Sequence, residues 1–187
     1  LADYLFARRL DHIDVLASTH IHEDHLCGLV PLPGRWPPKE LWQTLPPDFY
    51  RSLRTLPPLA EATVSQDKFR RSINDYQTLC GEVEARGGTL QSLSAGWEIR
   101  PCPGLTIRCL GPSQTRAEEL AALFADLNRE EERETFRQKL SALDGAMNNY
   151  SAILLLDYRG TRILLPGDTN RLGYGEIAPE DLPAHLF

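Results

Sequence analysis

Apolar and polar positions recur along the chain with two periods, which predict short strands and longer helices. The run Ile-Asp-Val-Leu-Ala at 13–17 is short, apolar and β-branched, and it predicts a buried strand. Similar runs predict further strands at 89–93, 105–110, 151–158 and 162–165. The last two runs are separated only by the turn residues Arg159, Gly160 and Thr161, so we expect a hairpin there.

Apolar residues spaced three to four positions apart predict the helices. The clearest helix runs from Asp67 to Arg86 and ends at Gly87-Gly88. A shorter helix is predicted over 1–10, and a long helix or helix pair from Arg116 to Leu143. The acidic run at 129–134 within it indicates a solvated face with helix-type ion pairs rather than a metal site. Because strands and helices alternate, the pattern predicts the α/β class.

Proline is concentrated between residues 31 and 58, and this density excludes long regular elements there. We therefore expect a single domain over 1–187 with a Pro-rich insert at about 31–66. The aromatic residues of this segment either anchor it on the core or line a substrate cleft. They are Trp36, Trp42, Phe49 and Tyr50.

A polar cluster directly follows the predicted strand at 13–17, where a loop can hold a site on a rigid scaffold. The stretch Ser-Thr-His-Ile-His-Glu-Asp-His at 18–25 holds three of the five histidines of the chain. Imidazole and carboxylate groups are ligands for zinc and similar divalent metals. In an extended segment His20 and His22 project to the same side, so both can bind one ion. Asp24 and His25 follow where the chain turns and can face a second ion.

The spacing of these histidines also excludes one motif. His22 and His25 are three positions apart, so the helical His-Glu-x-x-His pattern of metalloproteases is absent. The small and apolar residues at 26–29 can begin a helix or a tight turn. The alternative to a metal site is a solvated turn that happens to be rich in histidine.

The pattern His20-x-His22-x-Asp24-His25 resembles the signature of the metallo-β-lactamase-fold hydrolases. A second match is the strand that ends in Gly167-Asp168, and Asn148-Asn149-Tyr150-Ser151 resembles the preceding strand of one subgroup. That subgroup comprises the hydrolase domain of DNA-uptake competence channel proteins and its stand-alone relatives. The resemblance covers roughly residues 1–170 and implies an αββα sandwich with two divalent metal ions, zinc or manganese.

With this resemblance, His20 and His22 are assigned to one ion and Asp24 and His25 to the other. Asp168 would bridge the two ions, and Asp24 would also orient the attacking water. Two adjacent metals suit phosphoryl transfer, because they stabilise both the attacking and the leaving oxygen. The expected activity is metal-dependent hydrolysis of phosphodiesters, with nucleic acid as the leading substrate.

Several positions depart from the family pattern. No histidine lies between His25 and His185, which favours the competence-type subgroup over β-lactamases and thioesterases. Cys27 stands where the family has glycine, either as a buried structural thiol or as a thiolate beside the metal. His185 is the one candidate for the family's last histidine, and the alternative is a surface residue. Because no counterpart of the family's first strands precedes Leu1, the sandwich is expected without them and without part of its C-terminal portion.

Two other functions stay open at this stage. One is a catalytically impaired metallo-β-lactamase-like domain that serves as a binding or regulatory module, which the missing ligands favour. The other is a hydrolase of small esters or lactams. For a nucleic acid substrate, four cations of the Pro-rich segment either form a basic rim or belong to a solvated loop. These cations are Arg35, Lys39, Arg51 and Arg54.

Composition is that of an ordinary globular protein, with 187 residues, 42% hydrophobic and 25% charged. The formal net charge of −6 gives no overall attraction for nucleic acid or anionic membranes. No apolar run approaches the roughly 18 residues of a membrane helix, and we expect neither a signal peptide nor a location outside the cytoplasm. The four cysteines are expected as reduced thiols, with a Cys102–Cys109 disulfide as the alternative.

Overall fold

The computed structural model describes residues 1–178 as six helices and seven strands, with 3-10 turns at Phe49–Ser52 and Met147–Tyr150. The helices are α1 (Ala2–Ala7), α2 (Glu23–Leu26), α3 (Val64–Ala85), α4 (Gln114–Arg129), α5 (Arg133–Ala146) and α6 (Arg171–Tyr174). The strands are β1 (Ile13–Ala17), β2 (Pro38–Gln43), β3 (Thr89–Ser92), β4 (Glu98–Cys102), β5 (Leu105–Gly111), β6 (Ile153–Tyr158) and β7 (Thr161–Leu165). The predicted α/β class is confirmed.

The first sheet is parallel and has the order β1-β2-β3. Its central strand, β2, pairs Leu41 with Leu16 of β1 on one side and with Leu90 of β3 on the other. This strand lies inside the Pro-rich segment and was not predicted. Proline is tolerated because Pro38 is the first residue of the strand, where its missing N–H breaks no ladder.

The second sheet is antiparallel and has the order β4-β5-β6-β7. The predicted hairpin is confirmed: β6 pairs with β7, and Leu154 lies opposite Leu165. Arg159 and Gly160 form its turn, both with positive φ. The strand β4 was not predicted, because its sequence Glu-Ile-Arg-Pro-Cys is largely exposed and lacks a regular apolar alternation.

The two sheets pack against each other through alternate side chains of their strands. Trp42 of β2, Cys109 of β5 and Leu154 of β6 belong to one buried cluster. The rings of Trp42 and Trp97 meet edge to face, 4.7 Å apart. On its other side, β6 directs Ile153 and Leu155 into a separate cluster that Tyr174 of α6 packs against.

The three long helices cover the opposite face of the parallel sheet. Leu16 and Leu41 lie in the same buried cluster as Phe69 of α3, Leu120 of α4 and Leu140 of α5. The helix predicted at 67–86 is confirmed and begins slightly earlier, at a capping box formed by Thr63 and Gln66. The helix pair is also confirmed. The acidic run lies at its junction, where Glu132 accepts hydrogen bonds from two backbone N–H groups at the start of α5.

The aromatic side chains of the Pro-rich segment anchor it on the core, which was one of the two predicted roles. Trp36 and Trp42 are buried, and the indole of Trp36 donates a hydrogen bond of 2.9 Å to the carbonyl of Leu10. Phe49 packs edge to face against Phe124. The hydroxyl of Tyr50 donates to a carboxylate of α3.

All four cysteines are free, so the alternative Cys102–Cys109 disulfide is not formed. Cys80 and Cys109 are buried, whereas Cys27 and Cys102 are exposed. The expectation that Cys27 is a buried structural thiol is therefore wrong: the residue follows the short helix α2 at the surface. Among residues 1–178, no helix combines the length and the apolar character needed to cross a membrane.

Candidate metal centre

The histidine-rich stretch leaves the end of β1 and turns directly into α2. The backbone N–H of Ser18 still bonds to the carbonyl of Trp42, and its hydroxyl donates to the carbonyl of His20 at 2.9 Å. His22 then occupies the N-cap position of α2 in an extended conformation. His20 lies in the bend at residues 19–21 rather than in the extended segment predicted for it, whereas Asp24 and His25 lie within the helix.

The side chains of this stretch converge on Asp168, which follows β7. Nε2 of His20 lies 3.0 Å from Nδ1 of His22. Nε2 of His25 lies 3.4 Å from Oδ2 of Asp168 and 3.8 Å from Oδ2 of Asp24. One ligand atom each from His20, His25 and Asp168 falls within 4.8 Å of the other two. Two motifs more than 140 residues apart in sequence thus form one cluster.

Hydroxyl groups occupy the other side of two of these imidazoles. The Thr19 hydroxyl lies 3.1 Å from Nδ1 of His20 and 3.2 Å from Nδ1 of His25. The Ser151 hydroxyl lies 3.2 Å from the same nitrogen of His20. Histidine ligands of metals in proteins usually bond through their second nitrogen to an oxygen, which orients the ring. The opposite nitrogens face the cluster: Nε2 of His25 faces Asp168, and Nε2 of His20 faces His22.

Close backbone packing brings the two sheets together at this point. The N–H of Ala152, just before β6, donates to the carbonyl of Thr19, just after β1. Gly167, just after β7, lies over both segments. A Cβ at Gly167 would approach Cβ of Thr19 to 2.9 Å and Cβ of Ser151 to 3.2 Å. Glycine also suits the left-handed φ of 57° at this position.

The electrostatics of the cluster keep His20 neutral. Burial, with the neighbouring His25 and His22 as further causes, lowers the pKa of His20 to about 3, although Asp168 and Asp24 act in the opposite direction. A neutral imidazole has a free lone pair, and this neutral form is the one that binds a metal. His20 is therefore ready to act as a ligand at neutral pH without losing a proton.

The cluster fits a divalent cation. Zn–N distances of about 2.0–2.1 Å in a tetrahedral site place two ligand nitrogens about 3.3 Å apart. The two nitrogens of His20 and His22 lie 3.0 Å apart, close to that value, and Nε2 of His25 lies 3.4 Å from an oxygen of Asp168. Buried oxygens without a partner also occur next to the cluster in sequence: Oδ1 of Asn148 and Asn149, and Oγ1 of Thr169.

The predicted residues do not all take equal places in the cluster. His20, His25 and Asp168 form the compact group, and His22 adjoins it through His20. The side chain of Asp24 is 77% exposed and lies at the rim. His12 lies at the other end of β1, where its ring nitrogens face Asp11 and Asp14.

His185, the predicted candidate for a further ligand, lies outside the described residues. Asp144, in the last turn of α5, was not predicted, yet its Oδ1 lies 3.3 Å from Nε2 of His22. A single aspartate near the end of a helix carries no signal in the sequence. Thr19 and Ser151 were not predicted as site residues, although both lie within the sequence motifs described above. Their position next to a motif histidine or within the Asn-Asn-Tyr-Ser motif was the signal that could have identified them.

A cavity of about 310 Å³ opens beside His22 and Asp24, between α2, α3 and α5. Its wall includes Ser65, Lys68 and Ser72 of α3. Lys68 lies 3.3 Å from the Glu23 carboxylate. The cavity therefore places polar groups and one cation next to the predicted ligands.

The four cations of the Pro-rich segment do not line this cavity. Each has a partner of its own: Arg35 stacks on Trp36, and Lys39 pairs with Asp14. Arg51 pairs with a carboxylate of α3, and Arg54 bonds to the backbone after α4. Of the two readings proposed, these contacts favour the solvated loop over a shared basic rim.

No protein-family model matches the chain, and no curated protein matches it significantly. The chemistry of the site is therefore inferred from its own residues.

Proposed function

We propose that the chain is a metal-dependent hydrolase with the αββα sandwich of the metallo-β-lactamase fold and a dinuclear metal centre. The observation that carries this proposal is the convergence of His20, His25 and Asp168, with His22 3.0 Å from His20. Three imidazoles lie close to a carboxylate here, and the second nitrogen of each faces an oxygen: a hydroxyl for His20 and His25, and Asp144 for His22. This arrangement is typical of a metal site rather than of a solvated turn.

The residues divide between two ions, zinc or manganese. His20 and His22 would hold one ion, Asp24 and His25 the other, and Asp168 would bridge them. When bound, two such ions polarise a substrate oxygen and lower the pKa of water towards about 7. The exposed carboxylate of Asp24 stands on the solvent side of the cluster, where it can orient the attacking water and accept its proton.

The substrate class we propose is a phosphodiester, with nucleic acid as the leading candidate. The cavity beside His22 and Asp24 is lined by Lys68, whose ammonium group can contact phosphate oxygens. The free cysteines suit a reducing compartment such as the cytoplasm, where we expect the enzyme to act.

Two measurements test this proposal. Elemental analysis of protein purified without chelators should find zinc or manganese, and His20→Ala combined with His22→Ala should remove it. Incubation with manganese or zinc should then cleave at least one of single-stranded DNA, double-stranded DNA, RNA and bis-p-nitrophenyl phosphate. Asp24→Ala should abolish this cleavage. Asp14→Ala is the matched control, because this exposed aspartate lies in β1 and pairs with Lys39, away from the cluster.

The other outcomes identify the alternatives. Metal binding without cleavage of any substrate would overturn the hydrolase and support a binding or regulatory module. Cleavage confined to small esters or lactams would overturn the phosphodiester class alone. A double histidine variant that retains the full metal content would show that the ligands lie elsewhere.

A further inference from the structure

The carboxylate of Asp144 reaches His22 from the last turn of α5. Its Oδ1 lies 3.3 Å from Nε2 of His22, and the backbone carbonyl of Asp144 lies 3.2 Å from the same nitrogen. The hydroxyl of Ser65, in the first turn of α3, donates to Oδ2 of Asp144 at 2.5 Å. Both side chains of the His22–Asp144 pair are about four-fifths buried, with 21% and 22% exposed.

We infer that Asp144 is a positioning residue for His22. This inference rests on the metal centre proposed above. A carboxylate and a carbonyl only accept hydrogen bonds. The nitrogen that faces them must therefore carry the proton, so His22 donates from Nε2–H. Its lone pair is then on Nδ1, the atom that lies 3.0 Å from Nε2 of His20. Asp144 thus selects the tautomer in which His22 can bind the ion that His20 binds.

The other two imidazoles of the cluster have a different environment. The Nδ1 atoms of His20 and His25 face the hydroxyls of Thr19 and Ser151. A hydroxyl can donate or accept a hydrogen bond after a simple rotation. His20 and His25 can therefore exchange tautomers when a metal binds or leaves. In the described part of the chain, His22 is the one imidazole of the cluster whose outer nitrogen faces two oxygens that only accept.

Ser65 and Phe69 hold this arrangement in place from α3. Ser65 engages the second oxygen of Asp144, so the carboxylate keeps the rotamer that points at His22. The Phe69 ring meets the His22 ring edge to face, with centroids 5.7 Å apart. The packing of α3 on α5 consequently sets the orientation of a side chain at the N-cap of α2.

Four variants test the inference in the complete chain. Asp144→Ala removes the carboxylate acceptor and leaves the backbone carbonyl as the remaining acceptor. Asp144→Asn keeps one side-chain acceptor oxygen, and Ser65→Ala frees the carboxylate. Asp126→Ala is the matched control, because it removes the same charge from α4. Asp126 pairs with Lys139, and Lys139 keeps Glu130 as a second partner in the variant. Metal affinity is measured by competition with a chromophoric chelator. Nitrogen-15 spectra of the imidazoles are recorded on metal-free protein.

Loss of an outer partner of a histidine ligand typically weakens metal binding by about 10- to 100-fold, and we expect this for Asp144→Ala. Asp144→Asn should retain most of the affinity, Ser65→Ala should lose less than Asp144→Ala, and Asp126→Ala should match the unmodified protein. In metal-free protein, the His22 Nε2–H should give a slowly exchanging proton signal. That signal should be lost in Asp144→Ala and kept in Asp144→Asn and Asp126→Ala.

The two readouts separate this inference from the proposed function. If the unmodified protein binds no metal, the proposed function fails, while the imidazole signal still decides whether Asp144 holds His22. If Asp144→Ala binds metal as tightly as Asp126→Ala, or keeps the His22 signal, Asp144 does not position the ring. Should Asp144→Ala fail to fold, an unchanged signal and affinity in Ser65→Ala would overturn the arrangement.

Discussion

Gly167→Ala tests whether close backbone packing between the two sheets shapes the proposed metal centre. Gly167 has a φ of 57°, and an alanine in this left-handed region costs about 1–2 kcal/mol. Its new methyl group would lie 2.9 Å from Cβ and 3.1 Å from Oγ1 of Thr19, and 3.2 Å from Cβ of Ser151. Overpacking of this kind costs about 1–3 kcal/mol. Alanine also lowers the conformational entropy of the unfolded chain, and this offsets the loss by only about 0.4–1 kcal/mol.

The net expectation is a loss of about 2–3 kcal/mol in the free energy of unfolding. Because Thr19 and Ser151 carry the hydroxyls that face His20, displacing them should also weaken metal binding by about tenfold or more. Urea unfolding followed by tryptophan fluorescence measures the first effect. Chelator competition measures the second.

Gly81→Ala is the matched control for this substitution. Gly81 lies in α3, away from the cluster, and its nearest neighbour for a new Cβ is the Tyr50 ring at an ordinary 3.8 Å. Alanine in a helix should stabilise the fold by about 0.5–1 kcal/mol and leave metal affinity unchanged. If Gly167→Ala is as stable as the unmodified protein and binds metal equally well, the contacts of Gly167 do not shape the site.

Three further predictions concern the site and the thiols. Ser151→Ala should weaken metal binding by about tenfold without loss of the fold, since it removes one hydroxyl facing His20; unchanged affinity in a chelator titration would rule out this role. A thiol reagent should modify the two exposed cysteines of the native protein rapidly, and Cys80 and Cys109 only after unfolding, as mass spectrometry of the labelled peptides would show. Burial raises the pKa of Cys80 and of Cys109 to about 12, above the 9.0 of a free thiol. The unfolded chain therefore loses these protons first, and the free energy of unfolding should fall by about 1.4 kcal/mol per pH unit for each thiol as the pH rises from 9 towards 12. Cys109→Ala should reduce the slope of a urea-unfolding series over this range by that amount, and an unchanged slope would contradict the assignment.

Local sequence determined the elements whose pattern is complete within a few residues. The strand at Ile13–Ala17, the long helix at Val64–Ala85 and the β6–β7 hairpin follow from apolar spacing and turn residues nearby. The residue types of the histidine-rich stretch likewise predicted candidate metal ligands, and the structure brings His20 and His25 of this stretch together with Asp168. These features need no distant partner to be recognised, because periodicity and ligand chemistry are properties of the chain itself.

Tertiary structure decided what depends on partners distant in sequence. The strand β2 becomes the centre of the parallel sheet because β1 and β3 pair with its two edges, although its proline-rich surroundings argue against a strand. The choice of imidazole nitrogen is made in the same way. Thr19 and Ser151 face Nδ1 of His20, whereas Asp144, 122 residues from His22, faces Nε2 of that ring. A histidine in a sequence offers two equivalent-looking nitrogens, and only the groups that pack around the ring determine which one is free to bind a metal.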